Sequence, residues 1–345
     1  MKFGLFDHVD RNDRPLATQF DERLGFVAAA DTAGFYCYHV AEHHATPLNM
    51  VPVPGVWLAA VARATRRLRL GPLVYLLPLY SPLRLVEEIG MLDQLSHGRL
   101  EVGVGRGVSP FELNFHKVDP DSSRDIFIDA YETMMAGLTH ERLTRSGRYF
   151  SYENVPMEIP TLQRPHPPIW YGSSNKTGST WAGERGLHFA TLGSMALAKS
   201  NIDTFKEALA RRGGAAQVAK PEFPGGVAIG VNRQVVVAET EAEALRIAGP
   251  AHAEHYASLT KLQRENVRGP NITAHMASGL EEGRKSGAVI AGTPSMVRAE
   301  IERQVAELGI NYMIMAMFFG NMAQEHAMRS LRLFGAEVMP KLAAL

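Results

Sequence analysis

Phe35-Tyr36-Cys37-Tyr38-His39-Val40-Ala41-Glu42-His43-His44 is the stretch from which the fold is read. Its first six residues form an apolar, strand-like run. A carboxylate and two adjacent histidines follow where the strand gives way to a loop. In parallel α/β architectures that edge, the carboxyl end of a strand, is where chemistry gathers. Packing alone does not require two imidazoles side by side there. Imidazoles titrate near neutral pH and can move protons or bind metal.

Outward from this stretch, strand-like and helix-like patterns alternate. Residues 2–6 read as a strand and 20–32 as a helix; 54–65 is helical after the second strand. Strands at 68–77 and 100–105 are each followed by helices, at 83–95 and 122–138. A fifth unit pairs 169–172 with 176–185, and a sixth pairs 188–192 with 201–211. The seventh strand, 227–238, precedes a helix over 241–262. The last strand, 311–318, precedes a helix from 323 onward. Short apolar strands separated by helices imply a parallel sheet. About eight such units in 345 residues fit an α/β fold of the closed (β/α)8 TIM-barrel type, which spans roughly 200 to over 400 residues. Residues 1–345 are read as one domain.

An open doubly wound sheet is the alternative. Its dinucleotide fingerprint is absent, because Gly103-Val104-Gly105-Arg106-Gly107 lacks the G-x-G-x-x-G spacing and follows the fourth strand. Residues 172–179 also fail the P-loop pattern. Insertions interrupt the alternation before strand 5 and before the last strand. The first, 146–168, carries Pro156, Pro160, Pro165, Pro167 and Pro168 and reads as an extended loop with a hairpin. The second, 264–288, is polar and glycine-containing. Too little apolar surface is available over 265–288 to offset the entropy of ordering it, so it reads as a mobile lid.

Composition narrows the partners. Thirty-six basic and 36 acidic side chains cancel, which argues against a nucleic-acid partner. Cys37 is the sole cysteine, so no internal disulfide framework exists, as suits the cytoplasm. Charged residues appear too early for a secretory signal, and no apolar run is long enough for a bilayer. The helix at 54–65 contains Val56-Trp57-Leu58-Ala59-Ala60-Val61-Ala62, apolar nearly all round. A barrel's outer helix needs one apolar stripe, so a second copy is the simplest cover for the rest, and a homodimer is expected.

Several motifs occur in order. They are Met1-Lys2-Phe3-Gly4-Leu5-Phe6, Ala41-Glu42-His43-His44, Leu77-Pro78-Leu79-Tyr80-Ser81-Pro82 and Leu92-Asp93-Gln94-Leu95-Ser96-His97-Gly98-Arg99. Val102-Gly103-Val104-Gly105-Arg106-Gly107, Pro165-His166-Pro167-Pro168-Ile169-Trp170 and Ala291-Gly292-Thr293-Pro294 follow. Together they resemble the bacterial-luciferase-like, flavin-dependent monooxygenase family. The resemblance implies a TIM barrel, reduced FMN and molecular oxygen. A small organic substrate would be oxidised through a C4a-peroxyflavin, with a separate flavin reductase as the source of reductant. It also implies a dimer packed through the helices after strands two and three, and a flexible insertion near the 265–288 lid. A deazaflavin (F420)-dependent dehydrogenase of the same superfamily is the near alternative. A non-catalytic flavin-binding protein is another, and a metal-dependent hydrolase a distant one.

His43 matches the family's catalytic histidine; a buried, hydrogen-bonded imidazole is the plainer alternative. His44 stands beside it in a direct or supporting role, and Glu42 would orient the pair. A metal site of Glu42, His43, His44 and His8 is not expected, because adjacent side chains diverge and rarely ligate one ion. Arg106 offers a guanidinium fork among glycines, and the resemblance sets it against the flavin phosphate. Ser174, Asn175, Gly178 and Ser179 lead into a helix whose start would hold that phosphate or simply be capped. Leu73 and Val74 match a position where family members often hold a non-proline cis peptide under the flavin ring. Gly105 stands where some luciferase catalytic subunits carry a reactive cysteine, which argues against light emission and not against flavin binding. Phe6, Tyr75, Met313, Met315 and Met317 read as barrel core.

Overall fold

A computed structural model describes all residues except 217–221, 267–270, 272, 275, 344 and 345. The first units are β1 (Lys2–Asp7), α1 (Leu16–Ala33), β2 (Cys37–Val40) and α2 (Pro54–Ala64). The third strand is broken into β3 (Arg69–Pro72) and β4 (Tyr75–Leu76), and α3 (Pro82–Leu95) follows. Next come β5 (Val102–Gly105), the short α4 (Pro110–Phe115) and α5 (Ser123–Thr139). The hairpin β6 (Arg142–Ser146) and β7 (Ser151–Pro156) leads to β8 (Ile169–Gly172), α6 (Lys176–Arg185), β9 (His188–Thr191) and α7 (Met195–Arg212). The C-terminal part runs β10 (Ile229–Val237), α8 (Glu241–Glu265), α9 (Leu280–Lys285), β11 (Val289–Gly292), α10 (Pro294–Leu308), β12 (Tyr312–Ala316) and α11 (Gln324–Leu333).

The main sheet runs β3, β2, β1, β12, β10, β9, β8, β5, β4, and its pairings are parallel. Because β3 and β4 are halves of one stave, and Leu70 bridges Leu100 just before β5, the ends of the path meet and the sheet closes. The result is the TIM barrel. β11 is an additional parallel strand on the outer half of β10, with Gln234 opposite Val289 and Val237 opposite Gly292.

A strand shows alternate side chains to opposite faces, and two separate apolar clusters result. Phe3, Leu5, Tyr38, Val40, Met313 and Met315 pack outward against the helices. Phe6, Ala41, Trp170, Ala190, Tyr312 and Ile314 pack in the lumen. Large residues fill the lower lumen and glycines yield to them. A Cβ on Gly4 would lie 1.7 Å from the Tyr312 hydroxyl, and one on Gly71 would lie 1.9 Å from the Glu101 carbonyl oxygen. Nearer the carboxyl ends, the small residues Ala41, Gly105, Gly172, Ala190 and Ala316 leave space instead of filling it.

A buried polar network closes the bottom. Glu101 accepts from Tyr36 (3.0 Å), from the Trp170 indole (2.5 Å) and from Arg69. Its neighbours His39 and His188 are pushed down to about 4, burial being the main cause. The Asp93–Arg99 motif is likewise structural. Arg99 donates to the carbonyls of Ala62, Thr65, Leu68 and Ser96 around the end of α2, while Asp93 accepts from the backbone and side chain of Gln163.

Some expectations need correction. The third strand is not continuous over 68–77: it breaks at Leu73–Val74, whose peptide bond is cis. The hairpin starts at Arg142, earlier than the 146–168 insertion. Residues 289–308 fall outside the alternation read from the sequence, yet they form β11 and α10, with Thr293 capping and Pro294 opening the helix and Gly309 ending it at φ +61°. Part of the 265–288 segment lies outside the described residues, and 280–285 is the helix α9. Phe6 belongs to the lumen but also faces the cavity described next, so it is not core alone. Among the described residues, no helix is long and apolar enough to cross a membrane.

Candidate active site

A cavity of about 410 Å³ opens at the carboxyl ends of the strands. Its floor is the upper lumen. Its walls come from the loops after β1, β2, β5, β8 and β9 and from α8. Leu73 and Val74, joined by the cis peptide, form part of the wall. A Cβ on Gly105 would fall 2.4 Å from Val74 Cγ2, so any side chain there, cysteine included, would displace that wall.

His43 lines the cavity, and 23% of its side chain is exposed. Its Nδ1 lies 3.2 Å from Glu112 Oε1. The other Glu112 oxygen accepts the His44 backbone N–H at 2.9 Å. Burial by itself would lower the basicity of His43. The charge and hydrogen bond of Glu112, with Glu42 and Asp10 behind it, outweigh burial and raise its pKa above the usual histidine value. The same pairing lowers Glu112 despite its burial. Sequence reasoning missed Glu112, which sits on the unread helix α4. Ser109 caps that helix by accepting the Glu112 N–H, and Ser109-Pro110-Phe111-Glu112 carries the S-x-x-E signature that marks such a start.

His44 does not line the cavity. Its Nε2 is 2.9 Å from Glu42 Oε1, and its ring packs edge-on against His116. Glu42 is buried and does more than orient the histidines: it accepts the Leu76 N–H (3.0 Å) and the Tyr80 hydroxyl (3.0 Å). It thereby ties the loop after β2 to the chain just beyond the cis peptide.

Arg106, Ser174 and Asn175 also line the cavity. Arg106 is exposed, and among the described residues no carboxylate pairs with it. Its charge, with those of Arg124 and Arg185, acts on the Tyr171 hydroxyl, although burial wins and pushes that hydroxyl's pKa up. Asn175 caps α6 by accepting the Gly178 N–H at 2.9 Å. Gly178 and Ser179 do not reach the cavity: a Cβ on Gly178 would strike Ser173 Oγ at 2.2 Å, and Ser179 donates to the Asn175 carbonyl. The first N–H groups of a helix have no partner within it, so an anion would find Arg106, hydroxyls and free amides together. That donor chemistry fits a flavin phosphate.

Beyond His8, a second group of polar side chains was not foreseen. His8 follows β1 and stacks on His43, with ring centres 5.6 Å apart. It also lies 5.0 Å from the ring of His255 on α8. Burial, reinforced by His255, lowers His8 well below the usual histidine value. Asp10 accepts from His255 Nδ1 (2.8 Å) and from the Gly320 N–H (3.1 Å). His252 contacts Gln234 Oε1 at 2.7 Å through Nδ1. Among the described residues, no three His, Cys, Asp or Glu side chains are grouped to hold a metal.

Comparison with known proteins agrees with this arrangement. The pattern of the luciferase-like monooxygenase family matches residues 1–312. The chain is 34% identical to the uncharacterised protein y4wF of Sinorhizobium fredii, over 99% of this chain and 97% of the relative. It is 28% identical to the oxygenase component of the flavin-dependent trigonelline monooxygenase of Acinetobacter baylyi, over 54% of this chain and 53% of the relative. The oxygenating constituent of 3,6-diketocamphane monooxygenase from Pseudomonas putida, solved with FMN, superposes with a TM-score of 0.80 at 21% identity, covering 99% and 98% of the two chains. Solved F420-dependent enzymes share the fold at TM-scores of 0.72 to 0.74 and 17 to 18% identity. The matched span, the closed barrel and the strand-end cavity agree: this chain belongs to the luciferase-like monooxygenase family.

Proposed function

We propose that the protein is the oxygenase component of a flavin monooxygenase, taking reduced FMN and molecular oxygen to oxidise a small organic substrate. The observation that carries this reading is the meeting, in one cavity, of the His43–Glu112 pair and an anion site at Arg106 and the start of α6. Bound reduced flavin would supply two electrons to oxygen, so that one oxygen atom enters the substrate and the other leaves as water. Arg106, Ser174 and Asn175 hold the phosphate. Leu73 and Val74 support the ring, and the apolar lumen beneath excludes water. His43, kept basic by Glu112, gives and recovers a proton at Nε2. Glu42 and His44 hold the loop that carries His43. Reduced flavin comes from a separate reductase, as the words "oxygenase component" imply for the relative, and the setting is the cytoplasm.

Stopped-flow absorbance tests this directly. Reduced FMN is mixed with oxygenated buffer with and without the protein. The expected result is a slower return of oxidised-flavin absorbance on the protein. If FMN reoxidation is unchanged while reduced F420 binds and exchanges hydride, the deazaflavin reading replaces this one.

Arg106→Ala is expected to weaken FMN binding by roughly 10- to 150-fold, the loss of a charge-assisted hydrogen bond, and riboflavin binding by under about twofold. Fluorescence titration of both ligands decides it. Equal losses would remove the phosphate role.

A homodimer through α2 and α3 belongs to the same reading. Val56 on α2 is 74% exposed and Met91 on α3 is 53% exposed, with Leu95, Ile159 and Leu162 also open. Single exposed apolar residues are ordinary, but a cluster of them marks an interaction face. Light scattering at micromolar concentration is expected to give twice the 37.9 kDa chain mass, and Val56→Asp with Met91→Asp to give the monomer. A wild-type monomer would refute the dimer.

A further inference from the structure

Three imidazoles present unsatisfied nitrogens to the cavity. Among the described residues, neither nitrogen of His8 has a hydrogen-bond partner, nor has Nε2 of His43 or of His255. His8 lies between the other two rings. All three rings line the cavity, so these nitrogens are placed to meet a polar ligand there.

His255 is further prepared. Its Nδ1 is committed to Asp10, which is 1% exposed and whose second oxygen is held by the Gly320 N–H. Asp10 is held down to about 2: burial alone would raise it, but His255 outweighs that, with help from His8 and the Gly320 amide. It is therefore a carboxylate at any working pH. A carboxylate on Nδ1 makes Nδ1 the protonated nitrogen and leaves a lone pair on Nε2. The other titratable groups facing His255 are His8 at the end of β1 and His252 on its own helix.

We propose that His255, oriented by Asp10, is the base for an ionisable hydroxyl of the substrate, so that the substrate is a phenol or the enol of a carbonyl compound. This rests on the monooxygenase reading for its setting. The hydroxyl O–H bond breaks, the proton forms an N–H bond at Nε2, and the electron pair stays on oxygen as phenolate or enolate. The imidazolium keeps that proton, its charge balanced by the adjacent Asp10 carboxylate, and His8 hydrogen-bonds the oxygen from the side. Aliphatic alcohols are too weakly acidic for an imidazole base, and carboxylic acids are already ionised at neutral pH. Tyr256 and Leu259 on α8 and Phe6 on β1 supply an aromatic and apolar wall suited to a ring. A base that raises electron density on the substrate serves an enzyme that delivers oxygen to it. His43 keeps the proton work on the flavin side.

The test uses 4-nitrophenol, whose phenolate absorbs visible light, with the full-length protein free of flavin and again with FMN. Wild type is expected to shift the ionisation of bound nitrophenol toward phenolate by about tenfold or more, one pKa unit. His255→Gln keeps a hydrogen-bonding side chain but no base, and is expected to abolish the shift. Asp10→Asn is expected to reduce it. Melting curves confirm that each variant is folded; should Asp10→Asn unfold, His255→Gln still decides the matter. No nitrophenol binding, binding without a shift, or an equal shift in His255→Gln would each overturn the proposal. A parallel FMN titration separates the two readings, since a retained shift without FMN binding undoes the flavin assignment alone.

Discussion

Replacing His43 by alanine is expected to lower turnover by roughly 10²- to 10⁴-fold, the usual cost of losing a general acid or base, while folding and FMN affinity stay nearly intact. The side chain is 23% exposed and, among the described residues, makes one hydrogen bond, to Glu112, so its loss leaves no large cavity. Glu112 keeps the His44 N–H. Substrate-dependent oxygen uptake reads the effect, and His44→Ala, whose ring is outside the cavity, is expected to cost under about tenfold. Full activity of His43→Ala would reject the assignment. The pH dependence has a definite sign. Because the folded pKa of His43 is raised, its protonated form stabilises the fold fully below the unfolded value of about 6.5, and the contribution is lost as pH rises through the folded pKa. Any step that needs the imidazolium fades over the same interval, and His43→Gln should abolish that limb of the pH profile.

Glu101→Ala is expected to destabilise the protein by about 3–5 kcal/mol, the range for breaking a buried ion pair from one side. Glu101 is fully buried, and its removal strips Arg69, Tyr36 and the Trp170 indole of an acceptor at once. Arg69 retains Gln163 and the Leu100 carbonyl, which favours the lower end of that range. Urea unfolding followed by tryptophan fluorescence measures it directly. A change under about 1 kcal/mol, the scale of an exposed pair, would show that the network at the barrel bottom adds little. FMN binding, read separately, should survive in the folded fraction, because Glu101 lies beneath the cavity and does not line it.

Much of the barrel was legible because its signals are local. The runs at 35–40 and 169–172, and the helix at 176–185, with Asn175 before it and Gly186 after it, are fixed by side-chain period and capping among near neighbours. The helix α10 carries signals of the same local kind, since Thr293-Pro294 and Gly309 are ordinary start and stop signals. The break between β3 and β4 was not avoidable from propensity, since 68–77 reads as one apolar strand; only the resemblance pointed to Leu73–Val74.

The same division runs through the site. His43, Arg106 and Asn175 stand at strand ends or helix starts, where position along the chain already says which edge of a parallel sheet they occupy. That His43 faces the cavity and His44 turns to Glu42 was not decided by their adjacency. It follows from Glu112, 69 residues away, which reaches the loop only once β2 and β5 are staves of one closed sheet. The pairing of Asp10 with His255 spans 245 residues and joins the first strand's loop to α8. Local patterns choose helix, strand and cap because those energies are settled within a few residues. Hydrogen bonds across a barrel mouth are made only after closure has removed both partners from water, so no local pattern announces them.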